Sequence, residues 1–331
     1  MTGALRVTVT GGAGFIGSNL VSWLLRHPAI GRVTVVDDLS TGSTSLLGED
    51  LTQTDFRQGS VLDAGLIEDA VAGADAVVHL AALPSVPRSV ADPLATHHAN
   101  ATGTLQALEA ARRAGGPLVA AASSSSVYGA QPELPKRETS RAMPLSPYAV
   151  SKLATEAYLG AYHACYGLEV LPLRFFNVYG PRQRAGHPYA AVVPAFIDAA
   201  LSGRPVTVHG DGTQTRDLTF VDTACEVITT AITRRVATPW PVNLALGTRT
   251  SLLDVIALLD QVLGAPVRVE HAPPRPGDVA HSQADPDRLH HLFPHVSAVA
   301  LHEGLERTVA WHQNQRRDPA RSHGDDRGRG R

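Results

Sequence analysis

The chain has 331 residues, 44% of them hydrophobic, and a formal net charge of -2 at pH 7, which suits two domains or one large α/β unit with an appendage. The near-neutral charge argues against nucleic-acid and anionic-membrane partners, and no apolar run approaches the roughly 18 residues that span a bilayer. Met1 to Thr10 runs straight into a strand pattern without signal-peptide architecture, so we expect a cytoplasmic protein.

The first predicted elements are a strand, a glycine-rich turn and a helix. Leu5 to Thr10 is a β-branched run, Gly11, Gly14 and Gly17 follow, and an apolar helical pattern covers Leu20 to Leu25. In this context the glycines let backbone N–H groups approach a pyrophosphate at the helix N-terminus, where the helix dipole favours anions. The sequence therefore predicts a dinucleotide site here.

The next predicted strand, Arg32 to Val36, ends in Asp37 and Asp38. A carboxylate at about twenty residues past the glycines can hold both hydroxyls of an adenosine ribose and repels a 2′-phosphate, which favours NAD over NADP. Asp37 alone could equally be a turn former before Ser40. Its position after the glycine motif favours the cofactor role.

Further strands are predicted at Phe56 to Val61, Ala76 to Ala82, Leu118 to Ala122 and Leu168 to Phe175, and a long helix at Pro93 to Ala114. Strands that alternate with helices, without hairpin signals, indicate an α/β fold with a doubly wound parallel sheet of the Rossmann type. Ligands of such sheets bind at the carboxyl ends of the strands.

The fifth strand ends in a serine cluster, Ser123 to Ser126, and Ser146 and Pro147 then start a helix that carries Tyr148 and Lys152. Tyr148 and Lys152 share one helix face. Lys152, the helix N-terminus and a cationic nicotinamide would all lower the phenol pKa from its ordinary value near ~10, which makes Tyr148 a candidate general base. Alone, the pair also suits an ordinary amphipathic helix.

The glycine motif, Val127-Tyr128-Gly129 at the serine-rich strand end, and Tyr148 with Lys152 occur in a family's order and spacing. From about residue 5 to 312 the chain resembles the extended short-chain dehydrogenase/reductase family, in its nucleotide-sugar epimerase/dehydratase group, and most of all the UDP-hexose 4-epimerases. The resemblance implies an NAD-binding Rossmann domain over residues 1–175 and a smaller C-terminal α/β substrate domain over 176–312. It also implies that the chain crosses back once from the second domain to the first. It also implies a homodimer in which the helices 93–114 and 147–167 pair with a second copy.

The resemblance assigns catalysis to Ser124, Tyr148 and Lys152. Tyr148 takes the proton of sugar O4, Ser124 bridges O4, and Lys152 lowers the tyrosine pKa and holds the nicotinamide ribose, while tightly held NAD oxidises C4 transiently. The expected cofactor residues are Gly11, Gly14, Phe15, Ile16, Gly17, Asp37, Asp38, Ser60, Val61, Leu80, Ala81, Ala82, Asn100, Tyr148 and Lys152. Asn100 could instead be a solvent-facing helix residue.

The implied substrate is a UDP-sugar. Its expected contacts are Ser125, Ser126, Asn177, Arg184, Val193, His209, Arg216, Arg275, Asp278 and Ser282. By resemblance His209 stacks on uracil, Arg216 and Arg275 bind the diphosphate, and Asp278 takes the uridine ribose.

Several departures from the family pattern bear on the reaction. Sugar 4,6-dehydratases carry Asp-Glu directly after the catalytic hydroxyl residue, and decarboxylases carry Glu at the second place, whereas this chain has Ser125 and Ser126 and lacks the acid that elimination needs. Ser60 replaces an Asp that many relatives use near the adenine, and Pro84 replaces a lysine of galactose-type epimerases. A non-catalytic NAD-binding protein is disfavoured because Ser124, Tyr148 and Lys152 are all present.

Two residues bear on the sugar. Ser282 aligns with a bulky Tyr of glucose-restricted epimerases and leaves room for an N-acetyl group at C2. Arg184 aligns with an arginine that glucuronate epimerases aim at the sugar carboxylate, so UDP-glucuronate is the strongest alternative. Asn177 and the loop Ser85 to Ser89 are more like the neutral-sugar enzymes, and the sequence therefore favours neutral UDP-hexoses.

No metal site is expected, because the fifteen histidines form only adjacent pairs and lack ligand spacing. The two cysteines, Cys165 and Cys225, are expected to be packed thiols. The tail 313–331 is rich in Arg, Asp and Gly without periodicity and is predicted to be disordered.

Overall fold

The computed structural model describes residues 3–185, 191–274 and 280–317. The strands in these ranges are β1 Leu5–Thr10, β2 Ile30–Asp37, β3 Asp55–Gln58, β4 Ala76–His79, β5 Leu118–Ser124, β6 Val170–Phe175, β7 Val178–Tyr179, β8 Val206–His209, β9 Thr215–Arg216, β10 Thr219–Phe220, β11 Val242–Leu244, β12 Thr250–Ser251 and β13 Val269–Ala272. The α-helices are α1 Phe15–Leu25, α2 Ala64–Val71, α3 Val86–Ala91, α4 Pro93–His97, α5 Gly103–Arg113, α6 Pro147–Tyr166, α7 Val192–Leu201, α8 Val221–Arg234, α9 Leu252–Leu263, α10 Asp287–Leu292 and α11 Leu301–Arg317.

The main sheet has seven strands in the order β11-β6-β5-β4-β1-β2-β3, all parallel. Parallel strands need crossover connections, and helices on both faces bury the central strands, while the edge strand β3 stays partly exposed. Val9 and Val35 pack into one core cluster, and Val36 and Val77 pack into a second. The doubly wound α/β fold predicted from the sequence is confirmed, and β1 and β4 flank the point where the winding reverses.

The sheet also contains a strand from the second half of the chain. β11 pairs with β6, with Leu244 opposite Phe175, while three smaller strand pairs, β10-β7, β12-β9 and β13-β8, lie outside the main sheet. One buried apolar cluster runs from Val9 to Val309. The division of the chain at residue 175 stays a prediction, with β11 as the segment that returns.

Helix α6 forms as its sequence predicts. The side chain of Ser146 accepts a hydrogen bond from the backbone N–H of Ala149, Pro147 occupies the first turn, and Gly167 ends the helix with φ +68°. The predicted helix from Pro93 to Ala114 is interrupted, however, because His98–Thr102 forms a π-helical turn between α4 and α5. Such turns widen a helix locally and are frequent at functional sites.

Two sequence predictions at the periphery need correction. The prediction of a disordered tail from residue 313 is wrong for residues 313–317, because α11 continues to Arg317. Arg316 anchors this last turn through hydrogen bonds to Asp198 Oδ1 at 2.6 Å and to Ser202 Oγ at 2.8 Å, and residues 318–331 lie outside the described part. Cys225 is buried but Cys165 is exposed, so the packed-thiol expectation holds for Cys225 alone.

No helix in the described ranges is both long and apolar enough to cross a membrane.

Candidate active site

The glycine turn lies at the carboxyl end of β1, against the segment that follows β4. Gly11 has φ +72°, and a Cβ there would lie 2.6 Å from the backbone nitrogen of Ala81. A Cβ on Gly17 would collide with the carbonyl of Gly11. Helix α1 begins at Phe15, and its N-cap Gly14 offers no side chain to bond the first N–H groups. Those donors and this close backbone approach fit the pyrophosphate of a dinucleotide.

Asp37 is built into the same turn. Its side chain is buried, Oδ2 accepts a hydrogen bond from Ala13 N–H at 2.9 Å, and Oδ1 accepts one from Leu39 N–H at 2.8 Å. Burial raises the pKa of Asp37, and these two hydrogen bonds oppose the rise. The carboxylate is thus fixed at the end of β2, as the ribose-clamp prediction requires.

The remaining residues predicted for the cofactor surround this turn. Leu80, the first residue after β4, donates its N–H to the carbonyl of Thr10 at 3.0 Å, and Ala81 lies against Gly11. Val61 is buried against α5, while Ser60 accepts a hydrogen bond from Leu62 N–H at 3.2 Å. Phe15, Ile16, Asp38 and Ala82 occupy α1 and the ends of β2 and β4.

Ser124, Tyr148 and Lys152 come together at the carboxyl end of β5. Ser124 ends the strand, and its side chain is close enough to the phenol of Tyr148 to lower the phenol pKa. One turn further along α6, the Lys152 ammonium donates to the carbonyl of Ala122 at 2.9 Å. The structure therefore brings the three predicted catalytic side chains to one place.

The protein alone shifts two of these pKa values in the direction that disfavours charge. Burial raises the pKa of Tyr148, and the interaction with Ser124 lowers it by less. Burial lowers the pKa of Lys152 to about 8. The sequence alone predicts a lowered tyrosine pKa. In the protein alone desolvation outweighs the interaction with Ser124, so a lowered pKa requires positive charge brought into the site.

Asn100 lies inside the π-helical turn and is buried, so the alternative of a solvent-facing residue is wrong. Its Oδ1 accepts from Leu83 N–H at 2.7 Å, and its Nδ2 donates to Ser151 Oγ at 2.9 Å. Asn100 therefore ties the loop after β4 to α6, one residue before Lys152.

A chain of buried hydrogen bonds runs beneath these groups. His79 contacts Thr10 Oγ1 through Nδ1 at 2.8 Å and Thr104 Oγ1 through Nε2 at 3.2 Å, and Thr104 Oγ1 donates to the carbonyl of Asn100 at 2.7 Å. Burial and the charge of Lys152 lower the pKa of His79 to about 3, so the imidazole is neutral. The network joins the strand before the glycine turn to the turn that holds Asn100.

A buried ion pair supports the serine cluster from the other side. Arg174 on β6 donates to Glu156 on α6 through Nε at 2.8 Å and Nη2 at 2.7 Å, and Ser123 also donates to Glu156. The Arg174 guanidinium lies 4.7 Å from the centre of the Tyr128 ring. These contacts hold the strand of Ser124 to the helix of Tyr148.

The predicted substrate side contains a cavity of about 260 Å³. Four of the predicted contacts line it, namely Asn177, Val193, His209 and Arg216. Phe175, two residues before Asn177, pairs with Ser124 across β5 and β6, so Asn177 follows the strand next to that of the catalytic serine. Ser124, Tyr148 and Lys152 are not among the described residues that line the cavity. The Nδ1–H of His209 donates to the carbonyl of Pro273 at 3.0 Å.

The other predicted substrate residues are less closely connected to the cavity. Ser282 donates its N–H to the carbonyl of Thr215 at 3.0 Å, next to Arg216. Ser126 has a buried hydroxyl for which the described part of the chain supplies no hydrogen-bond partner, and Ser125 shares its 3₁₀ turn. Arg184 is exposed and is not among the described residues that line the cavity. Arg275 and Asp278 lie outside the described residues.

The sequence alone predicts no role for Glu156, Arg174, His79 or Asp217. Arg174 could have been noticed, because it interrupts the apolar strand Val170–Phe175 with a charge that must find a buried partner. Its partner Glu156 lies on the helix that carries Tyr148 and Lys152. Asp217 gives no local signal, since its hydrogen-bond partners come from distant loops.

Residues 7–245 match the family model described as the NAD dependent epimerase/dehydratase family. The chain is 38% identical to the UDP-glucose 4-epimerase of Mycolicibacterium smegmatis over 94% of its own length and 99% of the relative's. Among solved structures it is similar to the UDP-N-acetylglucosamine 4-epimerase from Methanobrevibacter ruminantium in complex with UDP-N-acetylmuramic acid, at 36% identity, a TM-score of 0.90, and coverage of 95% of this chain and 100% of the other. It is also similar to the UDP-glucuronic acid 4-epimerase from Bacillus cereus in complex with UDP-glucuronic acid and NAD, at 30% identity, a TM-score of 0.82, and coverage of 94% and 99%.

Proposed function

The chain belongs to the NAD dependent epimerase/dehydratase family, and on that basis we propose that it is a 4-epimerase of a UDP-hexose. The substrates are UDP-glucose and UDP-galactose, with the N-acetyl forms also accepted. One observation carries this proposal. Tyr148 beside Ser124 supplies a base for a hydroxyl proton. The two residues after Ser124 are serines, so no carboxylic acid follows the catalytic hydroxyl in the sequence.

NAD is the cofactor of this family. In the proposal the N-terminus of α1 with Gly11, Gly14 and Gly17 holds its pyrophosphate, Asp37 holds the adenosine ribose, and Lys152 holds the nicotinamide ribose. When bound, NAD supplies a hydride acceptor for sugar C4 and a positive charge beside Tyr148.

The chain's own residues then handle the proton and the sugar. The Tyr148 oxygen takes the proton from the sugar O4 hydroxyl and returns it when the opposite epimer forms, and Ser124 Oγ keeps O4 in line with the phenol. Lys152, with a pKa of about 8, is still mainly an ammonium at pH 7 and stabilises the phenolate that burial disfavours. The Arg174–Glu156 pair and the hydrogen bond from Ser123 to Glu156 hold the strand of Ser124 to the helix of Tyr148, and Asn100 holds that helix to the loop after β4.

Asn177, Val193, His209 and Arg216 are proposed to bind the UDP portion in the cavity they line. Arg216 suits the diphosphate, since guanidinium groups bind phosphate oxygens in pairs. Asn177, which lines the cavity, follows the strand that pairs with the Ser124 strand, and in the proposal the sugar of a nucleotide held in the cavity reaches from there to Ser124 and Tyr148.

We propose a homodimer through the helices of residues 93–114 and 147–167, with α3 packed beside α4 and α6. These helices pack on one another and expose large apolar side chains, with Val90 66%, Leu94 70% and Val150 53% exposed. Exposed apolar side chains on one face of a protein often mark a protein–protein interface.

UDP-glucuronate is the second candidate, and one observation favours it: Arg184 follows the cavity-lining segment and aligns with an arginine that pairs with the sugar carboxylate. Against it, Arg184 is exposed and does not line the described cavity. A dehydratase or decarboxylase is disfavoured by Ser125 and Ser126, and a non-catalytic NAD-binding protein by the intact Ser124–Tyr148 pair.

The test is a panel of UDP-glucose, UDP-N-acetylglucosamine and UDP-glucuronate, with separation of the C4 epimers and kcat/KM for each. Neutral sugars should be converted best, and Ser282→Tyr should remove N-acetyl activity while sparing UDP-glucose. A strong preference for glucuronate that Arg184→Ala abolishes would reverse the order of the two candidates. Absence of any C4 epimer would refute both.

A further inference from the structure

Asp217 lies between β9 and β10 and is fully buried, at 0% exposure. Its Oδ1 accepts hydrogen bonds from Leu246 N–H at 3.3 Å and Thr248 Oγ1 at 3.0 Å, and its Oδ2 accepts one from Ala284 N–H at 3.0 Å. Its backbone carbonyl accepts a fourth, from Asn177 Nδ2 at 3.1 Å. One residue thus connects the chain after β6, the chain after β11 and the segment 280–284.

Two of the three connected segments carry a predicted substrate contact, Asn177 after β6 and Ser282 in the segment 280–284. Asn177 lines the cavity and is bonded directly, and Arg216, which also lines it, precedes Asp217 in the sequence. Ser282 lies two residues before Ala284, and its segment is held to β9 by the bonds Thr215 N–H to Ala280 O and Ser282 N–H to Thr215 O, both 3.0 Å.

From this arrangement we propose that Asp217 is a positioning residue for the nucleotide-sugar pocket, which sets UDP affinity by holding Asn177, Arg216 and the segment of Ser282 in register. The inference rests on the proposed function, because it deepens the role of the same cavity. Asp217 does not line that cavity among the described residues, so it acts through its neighbours.

The chemistry of the donors explains why a carboxylate is needed. Two backbone N–H groups and a hydroxyl point at its two oxygens, and a carboxylate accepts at both. An asparagine has the same shape but replaces one acceptor with an NH₂ donor, which would face an N–H group that then loses its partner. Among the described residues Asp217 has hydrogen-bond donors and no ion-pair partner. Burial raises the pKa of Asp217, and these hydrogen bonds oppose the rise by stabilising the carboxylate.

The experiment measures the affinity of the full chain for UDP and, separately, for NADH by calorimetry. Asp217→Asn should weaken UDP on the order of tenfold or more, and leave NADH affinity unchanged. With UDP-glucose as substrate, KM should rise while kcat changes far less, because Ser124 and Tyr148 keep their contacts. The control is Asp63→Asn, which removes a carboxylate that accepts Leu66 N–H at 3.1 Å at the N-cap of α2, remote from the cavity.

A second variant covers the case in which Asp217→Asn does not fold. Thr248→Val removes a single exposed hydroxyl that donates to Asp217, and Thr52→Val is its control, since Thr52 is also exposed and donates to Glu49 O at 2.9 Å. Thr248→Val should weaken UDP several-fold and Thr52→Val should not.

The outcomes separate the two proposals. Native protein that binds no UDP would refute the proposed function and this inference together. Native protein that binds UDP, with folded Asp217→Asn or Thr248→Val binding it equally well, would overturn this inference alone. An equal loss of UDP and NADH affinity would also overturn it, because general loosening would then be the cause.

Discussion

The buried ion pair of Arg174 and Glu156 offers a prediction whose size follows from the structure. The two side chains are 4% and 7% exposed. Arg174→Met leaves the Glu156 carboxylate buried with the hydroxyl of Ser123 as its remaining hydrogen-bond donor. Breaking a buried pair by removing one partner typically costs about 3–5 kcal/mol in the free energy of unfolding. Since Ser123 adjoins Ser124, we also expect the variant to lose activity at temperatures where it remains folded.

Urea unfolding of native protein and of Arg174→Met, Glu156→Met and the double variant measures this. The double variant should be more stable than the sum of the single losses by roughly 1–3 kcal/mol, because no unpaired charge remains. The control is Arg113→Met, which breaks an ion pair with Glu68. These side chains are 57% and 42% exposed. The free energy of unfolding should therefore fall by no more than ~1 kcal/mol. If Arg174→Met costs no more than Arg113→Met, or the two single losses simply add, the reasoning about this pair is refuted.

Three further predictions concern the catalytic and cofactor residues. Tyr148→Phe should lower kcat by ~10²–10⁴-fold while NAD stays bound, because the hydroxyl acts as acid and base; near-native turnover would exclude it as the base. Asp37→Ala should weaken NAD and relax discrimination against NADP in a titration of both, and equal affinity of the native protein for the two would refute the ribose clamp. In the folded protein Lys152 has a pKa of about 8, below its ordinary 10.5. Between pH 8 and pH 10.5 the unfolded chain therefore binds this proton more tightly than the folded protein does. The free energy of unfolding should rise by about 3 kcal/mol as pH increases over this range. Lys152→Met should lack that part of the rise in urea unfolding at the two pH values, and an unchanged slope would contradict it.

The parts of the site that the sequence predicts well are those set by short-range rules. Ser146 and Pro147 start α6 at the expected residue, and the spacing of Tyr148 and Lys152 then places both on one face. Gly11 is similarly local, because the turn directly after β1 gives it a φ of +72°, which favours glycine. In each case a few consecutive residues determine the geometry.

The parts it predicts poorly depend on contacts between distant segments. Asn100 is buried because a π-helical turn rotates it toward Leu83 and Ser151, and helix periodicity does not reveal such a turn. The partners of Asp217 are 29 to 67 residues away in sequence. The upward shift of the Tyr148 pKa follows from burial in the folded protein, while the sequence shows just the neighbouring charges.

The fate of the hydrogen at sugar C4 tests the central claim most directly. UDP-glucose with deuterium at C4 would be incubated with the protein and NAD in ordinary water, and the sugar analysed by NMR and mass spectrometry. Transient oxidation at C4 predicts UDP-galactose that keeps its deuterium at C4, because the hydride removed from that carbon returns to it. Solvent hydrogen at C4, or a 4-keto-6-deoxy sugar as the product, would contradict the assignment of this chain as a UDP-hexose 4-epimerase.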